Sequence, residues 1–369
     1  MMTVKYGVVG CGMMGIEHLR NIALLDGADV TALYDPYEPQ LKLACDHAPT
    51  AQSYLSLDDL LVQGDFDALV IASPNHLHVH QLEQIATRKT VPILCEKPLF
   101  TQPEDAARVA KLQNEYGGPV WVAMEYRYMP PIAALIEQAE AVTGGIKMLT
   151  LQEHRFPFLQ KVGDWNRFNH QTGGTFVEKC CHFFDLMRLI LKSEPVTVTA
   201  SASQFTNHLD ETYDGKTPDI WDGGYVIFDF ENGAKAMLEL AMFVDGSKWN
   251  EEIHAIGPDG KIACRIPGPQ RFWPEELGTS PQPELSIYPR SPKRPQTKIV
   301  ELDEMLVDAG DHHGSTFYQH QKFLKMIQTG GTPEVNLDDG RRAVQMGLLA
   351  QEAARTGRVI SMRETENAV

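Results

Sequence analysis

Residues 7–15 read Gly-Val-Val-Gly-Cys-Gly-Met-Met-Gly, at the end of one apolar run and the start of an amphipathic stretch. Glycines at 10, 12 and 15 leave such a segment few ways to fold. The first permits a tight turn out of a strand, the second lets the backbone approach a ligand, and the third lets the following helix pack close to the strand. Free amides at the start of that helix, at Met13 and Met14, then face a pyrophosphate where the helix dipole favours negative charge. Asp35 stands twenty residues beyond Gly15, at the end of the next apolar run Val-Thr-Ala-Leu-Tyr. A carboxylate there can bind both hydroxyls of an adenosine ribose and would repel a 2′-phosphate, so the pattern favours NAD over NADP.

The organisation around this turn implies two domains, because 369 residues exceed what one modest core organises. Up to about residue 125, short apolar runs alternate with helical segments: Tyr6 to Val9, Val30 to Tyr34, Ala68 to Ala72, Ile93 to Cys95 and Val120 to Ala123. Near-continuous apolar strands between helices mean a parallel sheet covered on both faces. From residue 126 to 369 the texture changes to alternating segments: Gly145 to His154, Val196 to Gln204, Tyr225 to Phe230, Lys235 to Phe243 and Glu251 to Ile256. These predict an open, mainly antiparallel sheet with one solvated face, and Asn232-Gly233 predicts a hairpin between the third and fourth. Ile266 to Pro295 carries eight prolines and no strand or helix period, and reads as a long surface excursion. Helices are expected over Ser315 to Gln328 and Leu337 to Thr356, the last one a candidate to pack back on the first domain.

Three clusters carry candidate chemistry. Ser73-Pro74-Asn75-His76-Leu77-His78 follows an apolar strand, where a loop borders a ligand lying outside the strand ends. Ser73, Asn75 and His78 are therefore candidate cofactor contacts; Pro74 points to a helix start, which separates the alternate histidines and argues against a metal. Cys95-Glu96-Lys97-Pro98 again ends an apolar run, placing Glu96 and Lys97 at the mouth of the sheet. Desolvation or a nearby cation would lower the Lys97 pKa, while its charge could polarise a substrate oxygen. In Gly173-Gly174-Thr175-Phe176-Val177-Glu178-Lys179-Cys180-Cys181-His182-Phe183-Phe184-Asp185, a helix from Thr175 would set Glu178 and His182 four apart on one face, with Asp185 three further on. A carboxylate one turn from an imidazole can orient it as a general base.

Taken together, these motifs resemble the family of glucose-fructose oxidoreductase and inositol dehydrogenase, Gfo/Idh/MocA, and the resemblance spans nearly the whole chain. It implies an N-terminal Rossmann domain, a C-terminal α/β domain on an open sheet, and substrate bound between them. It also implies that Lys97 and His182 lie at the reacting carbon, with Glu178, standing where Asp is commoner, supporting the histidine. Arg155, Trp165, Asp185 and His313 are candidate substrate contacts, and no metal is expected. The reading is an NAD-dependent dehydrogenase of a sugar, sugar derivative or cyclitol. Its rivals are a glycosidase that oxidises its substrate transiently and a sugar-sensing regulator without catalysis.

Composition bounds the partners. A net charge of −16 without a basic cluster speaks against nucleic acid. No apolar run reaches the length of a membrane span, the chain enters a strand without a signal-peptide pattern, and the six cysteines lack metal or disulfide spacing. A homo-oligomer in a reducing cytoplasm is expected, its exposed sheet face a plausible contact surface.

Overall fold

The computed structural model describes residues 3–362. Its first sheet has six parallel strands, β1 (Val4–Val9), β2 (Ala28–Tyr34), β3 (Gln52–Tyr54), β4 (Ala68–Ile71), β5 (Ile93–Cys95) and β6 (Val120–Val122), in the order β3-β2-β1-β4-β5-β6. The order reverses between β1 and β4, so the turns leaving these strands, the glycine turn and the Ser73 loop, flank one crevice. β3 escaped the sequence reading because it is three residues long and two of them are exposed.

The second sheet contains β7 (Met148–His154), β8 (Pro195–Ser203), β9 (Gly223–Phe230), β10 (Lys235–Ala241), β11 (Glu251–Gly257), β12 (Gly260–Ile266), β13 (Glu284–Pro289), β14 (Gln296–Ile299) and β15 (Ile360–Ser361). They lie in the order β14-β13-β12-β11-β7-β10-β9-β8-β15. Every pairing is antiparallel except β7 with β10. The expected hairpin is present, Gly233 taking φ +81° between β9 and β10. Alternate residues of these strands are buried against the helices Pro130–Thr143, Cys181–Leu191 and Leu337–Thr356. Large apolar side chains on the other face, Met148, Tyr225 and Ile227, stay exposed.

The proline-rich excursion departs from the expectation of no regular structure. It contains β13, whose Leu285 faces Cys264 of β12 in an apolar buried pair, so tertiary pairing overrides a local sequence that favours no strand. Its earlier part, with short helical turns at 270–272 and 275–277, runs over the surface.

Helix Leu337–Thr356 ties the two sheets together. Asn336 starts it by accepting the amides of Asp338 and Asp339 while Asp339 accepts that of Asn336. Leu337, Ala343 and Val344 enter the core of the first sheet; Met346, Leu349, Ala350 and Ala353 enter that of the second. Two glycines allow this approach: an added methyl would lie 2.8 Å from Val122 Cγ2 at Gly340 and 2.7 Å from the Phe176 carbonyl oxygen at Gly347. Among the described residues no helix is long and apolar enough to cross a membrane. Gly347→Ala is expected to destabilise the protein by about 1–3 kcal/mol in urea titrations despite the better helix propensity of alanine, because backbone has to move; unchanged stability would show the contact to be soft.

Candidate active site

The glycine turn fits a dinucleotide. Gly10 takes φ +92°, and a side chain there would strike the backbone of Ala72 and Ser73, the turn across the crevice. A methyl on Gly15 would lie 2.2 Å from the Gly10 carbonyl oxygen, so only glycine lets helix Met13–Ile22 start so close to β1. Gly12 differs: nothing lies within 4 Å of its missing side chain. No side chain caps this helix, so its first amides, including those of Met13 and Met14, are left for a ligand. Asp35 braces the turn, accepting the Cys11 amide at 2.7 Å and the Tyr37 amide at 2.8 Å. Each carboxylate oxygen keeps a second acceptor position for a ribose hydroxyl.

Across the crevice a helical turn begins at Asn75 and continues into helix His78–Ala86, as Pro74 suggested. Ser73 donates to Gln81 Oε1 at 2.5 Å. The His78 ring is fully buried, its Nδ1 2.8 Å from the Pro98 carbonyl and its Nε2 3.0 Å from that of Ser73. Its place is thus behind the loop, joining the 73 and 98 turns. Glu96 likewise points inward, accepting from His18 Nε2 at 3.0 Å, while His18 Nδ1 meets His320 Nε2 at 2.8 Å. Lys97 precedes a cis-proline and donates from Nζ to the Glu178 carbonyl oxygen at 3.2 Å.

The 173–185 segment corrects the expected single helix. Gly173 and Gly174 take φ +79° and +90°, a short helix spans Thr175–Glu178, and a second begins at Cys181. The interruption separates Glu178 from His182. The Glu178 carboxylate instead accepts from Asn75 Nδ2 and lies 3.8 Å from Lys161 Nζ. Asp185 is a second correction: fully buried, it spends both carboxylate oxygens on the Arg127 guanidinium and does not reach the cleft.

His182 is buried, its Nδ1 sealed and without a partner, and its ring stacks on Tyr126 with centroids 4.1 Å apart. Burial, then the charges of Lys97, Lys179, His312 and Arg155, push its pKa well below the ordinary 6.5. Lys97 goes the other way from the sequence expectation. Burial lowers it, but Glu178, Cys181, Glu96 and Glu125 together carry it above its usual value, so it stays an ammonium. A charged donor and a neutral imidazole therefore coexist here.

A narrow cleft, with roughly 70 Å³ open to water, lies beside this group and is lined from both halves of the chain, by Met13, Glu17, Tyr126, Arg155, Glu251 and His313 among others. Arg155 lies over Phe156 and 3.5 Å from Glu153. His313, with φ +53°, sets Nε2 2.9 Å from the Pro267 carbonyl. Trp165 is farther along, edge-on to His76 and beneath the Lys161 ammonium. Sequence reasoning missed Tyr126, Glu17, Glu125 and Glu251, none of which stands in a recognisable spacing, and gave Lys179, inside the 173–185 motif, no role. Glu251 is pushed up to about 8 by burial and by Glu153. Glu17, Glu125 and His312 bring ligand-type atoms within 4.8 Å of one another. His312, half-buried and raised to about 9 by Glu125 and Glu17 against the effect of desolvation, supplies the proton that balances them and sits 2.8 Å from Glu17.

Comparison with known proteins extends this geometry. Residues 4–124 match the model of an oxidoreductase family with an NAD-binding Rossmann fold, and residues 137–362 match that family's C-terminal alpha/beta domain. The chain is 34% identical to inositol 2-dehydrogenase of Paracoccus denitrificans over 73% of its length and 75% of the relative's. It is 26% identical to the rhizopine catabolism protein MocA of Rhizobium meliloti, over 74% of this chain and 80% of that one. In fold it is similar to an oxidoreductase from Agrobacterium radiobacter crystallised with NAD+, L-tartaric acid and magnesium, with a TM-score of 0.79, 20% identity, and 98% and 99% of the two chains covered.

The two glycines separate stability from binding. Gly12→Ala is expected to leave the melting temperature of the free protein unchanged and to weaken NAD binding by about tenfold or more, whereas Gly15→Ala should lower the melting temperature itself. Calorimetry with and without NAD checks both; wild-type NAD affinity in Gly12→Ala would place the pyrophosphate elsewhere.

Proposed function

This chain belongs to the Gfo/Idh/MocA oxidoreductase family, and from that premise we propose that it is an NAD-dependent dehydrogenase of a cyclitol or sugar. The observation that carries this reading is the meeting of a buried imidazole, His182, whose Nδ1 has no partner, with the segment whose Glu178 carbonyl receives Lys97 Nζ at 3.2 Å, beside a bare glycine turn. Gly10, Gly12, Met13 and Met14 would hold the pyrophosphate, and Asp35 the adenosine ribose, its charge favouring NAD over NADP. Ser73, Asn75 and Lys97 would border the nicotinamide half, with His78 and the inward-pointing Glu96 bracing the turns behind it. NAD, when bound, supplies the hydride acceptor.

The chain's own part is to position the substrate and move one proton. His182 Nε2, the ring nitrogen that is not sealed, takes the hydroxyl proton, and the depressed pKa keeps that nitrogen free to do so. Lys97 Nζ steadies the oxygen as it becomes a carbonyl. Glu178 acts on the lysine and on Asn75 instead of on the histidine, holding the two halves of the chain together at the reacting carbon. Arg155, Glu251 and His313 offer both donors and acceptors, which suits the several hydroxyls of a polyol. Six cysteines without disulfides suit a cytoplasmic setting.

Turnover of myo-inositol, other cyclitols, pyranoses and aryl glycosides with NAD, followed by the absorbance of NADH and by glycoside release, tests the reading. Release of an aglycone without NADH would favour the glycosidase, and binding without either product a sensor. Lys97→Met should lower kcat by about 100-fold with little change in NAD affinity. The pH profile has a definite sign: His182 works deprotonated and its pKa is depressed, so the acidic limb of kcat/KM falls well below pH 6.5. Removing the Lys97 charge lets His182 bind a proton more readily and moves that limb to higher pH. An unmoved limb would take Lys97 out of the field felt by the base. We further propose that the open face carrying Met148, Tyr225 and Ile227 pairs with another copy of the chain. Sedimentation should then find an oligomer that Ile227→Asp dissociates, and a wild-type monomer would refute it.

A further inference from the structure

Tyr126 belongs to no motif, yet it packs face to face on the base. Its ring lies flat on the imidazole of His182, planes within 4° of parallel and centroids 4.1 Å apart. Phe183 meets the tyrosine nearly at right angles at 5.7 Å, which resists tilting of the stack. The tyrosine oxygen accepts a hydrogen bond from Lys179 Nζ at 2.5 Å, and Glu153 holds the same ammonium at 2.9 Å. Lys179 can do this because the helix breaks at its position and turns its side chain into the interior, where only 5% of it is exposed.

The imidazole needs such a support. A histidine base in a protein is commonly oriented by a hydrogen bond to its second nitrogen, but the Nδ1 of His182 is buried and has no partner, and the nearby Glu178 carboxylate is taken by Asn75. Face contact with Tyr126 is what remains to set the plane of the ring. The bond from Lys179 has a second effect: an ammonium has no acceptor, so the tyrosine oxygen receives and its own hydrogen stays free to donate. Tyr126 lines the cleft beside Arg155 and Glu251.

We propose that Tyr126 is a positioning residue, its ring holding the His182 imidazole in one plane in place of a carboxylate and its hydroxyl, fixed by Lys179, donating to a hydroxyl of the bound polyol. The substrate contact rests on the dehydrogenase reading above; the stack does not. Two variants separate the parts. Tyr126→Phe keeps the ring and loses the hydroxyl, so with myo-inositol and NAD it should hold kcat within about twofold and raise KM about tenfold. Tyr126→Leu loses the stack, and kcat should fall by about tenfold or more. The second readout uses the free protein: the ring protons of His182, identified through His182→Asn, should be shifted upfield in wild type and Tyr126→Phe by the stacked aromatic ring. In Tyr126→Leu that shift should be lost in a protein that still folds, its melting temperature lowered only modestly by the lost core contacts.

An unchanged KM in Tyr126→Phe overturns the hydroxyl contact, and wild-type His182 resonances in Tyr126→Leu overturn the positioning role. If the wild-type protein does not oxidise myo-inositol, the result counts against that substrate and the contact argued from it, while the resonances still decide whether Tyr126 orients the imidazole. A Tyr126→Leu protein that melts far below wild type shows a packing role instead and also overturns the proposal.

Discussion

Keeping an ammonium charged where water is scarce is the constraint around which this molecule is arranged. Lys97 sits at the seam between the two sheets, where burial works against its charged form. Carboxylates from both halves counter this: Glu96 from its own turn, Glu125 from the exit of β6, and Glu178 from the second half. Burial first, and then the positive charges of Lys97, Lys179, His312 and Arg155, keep the neighbouring His182 neutral. Two groups at one seam are thus held in opposite protonation states, with charges contributed from both halves of the chain.

How far this could be read from the sequence depended on the range of the interaction responsible. The glycine turn was legible because its demands are local: φ +92° at Gly10 and the contact of Gly15 with the Gly10 carbonyl involve residues five apart. The parallel strands were legible because burial on both faces writes an unbroken apolar run. β13 was not, since its strand character comes from pairing with β12 across a proline-rich stretch. The helix break at Lys179 and Cys180 was hidden as well: a run of helix-compatible residues gives no sign that the chain will turn a lysine toward Glu153 and Tyr126.

The site divides along the same line. Lys97 and His182 stand in spacings that carry chemistry, and the structure brings both to one charged region. Asp185 shared the histidine's motif but finds Arg127, a residue far away in sequence, and leaves the cleft. Glu178 shared a helical spacing with His182 but finds Asn75. In both cases a stronger partner from another element outcompeted the sequence neighbour, as expected where buried carboxylates require full hydrogen bonding. Glu17, Glu251 and the adjacent pair Glu125 and Tyr126 come from three separate stretches and meet only in three dimensions.

Helix Leu337–Thr356 has a consequence for how the protein is made. Its first turns seal the core around β6, and its later turns seal the core under β8 and β9. On a ribosome the strands of the first sheet precede the whole second sheet up to β14, yet one wall of their core follows only with Leu337–Thr356. The growing polypeptide therefore keeps that apolar surface uncovered while the second sheet is made, and it closes only when residues 337–356 have cleared the exit tunnel.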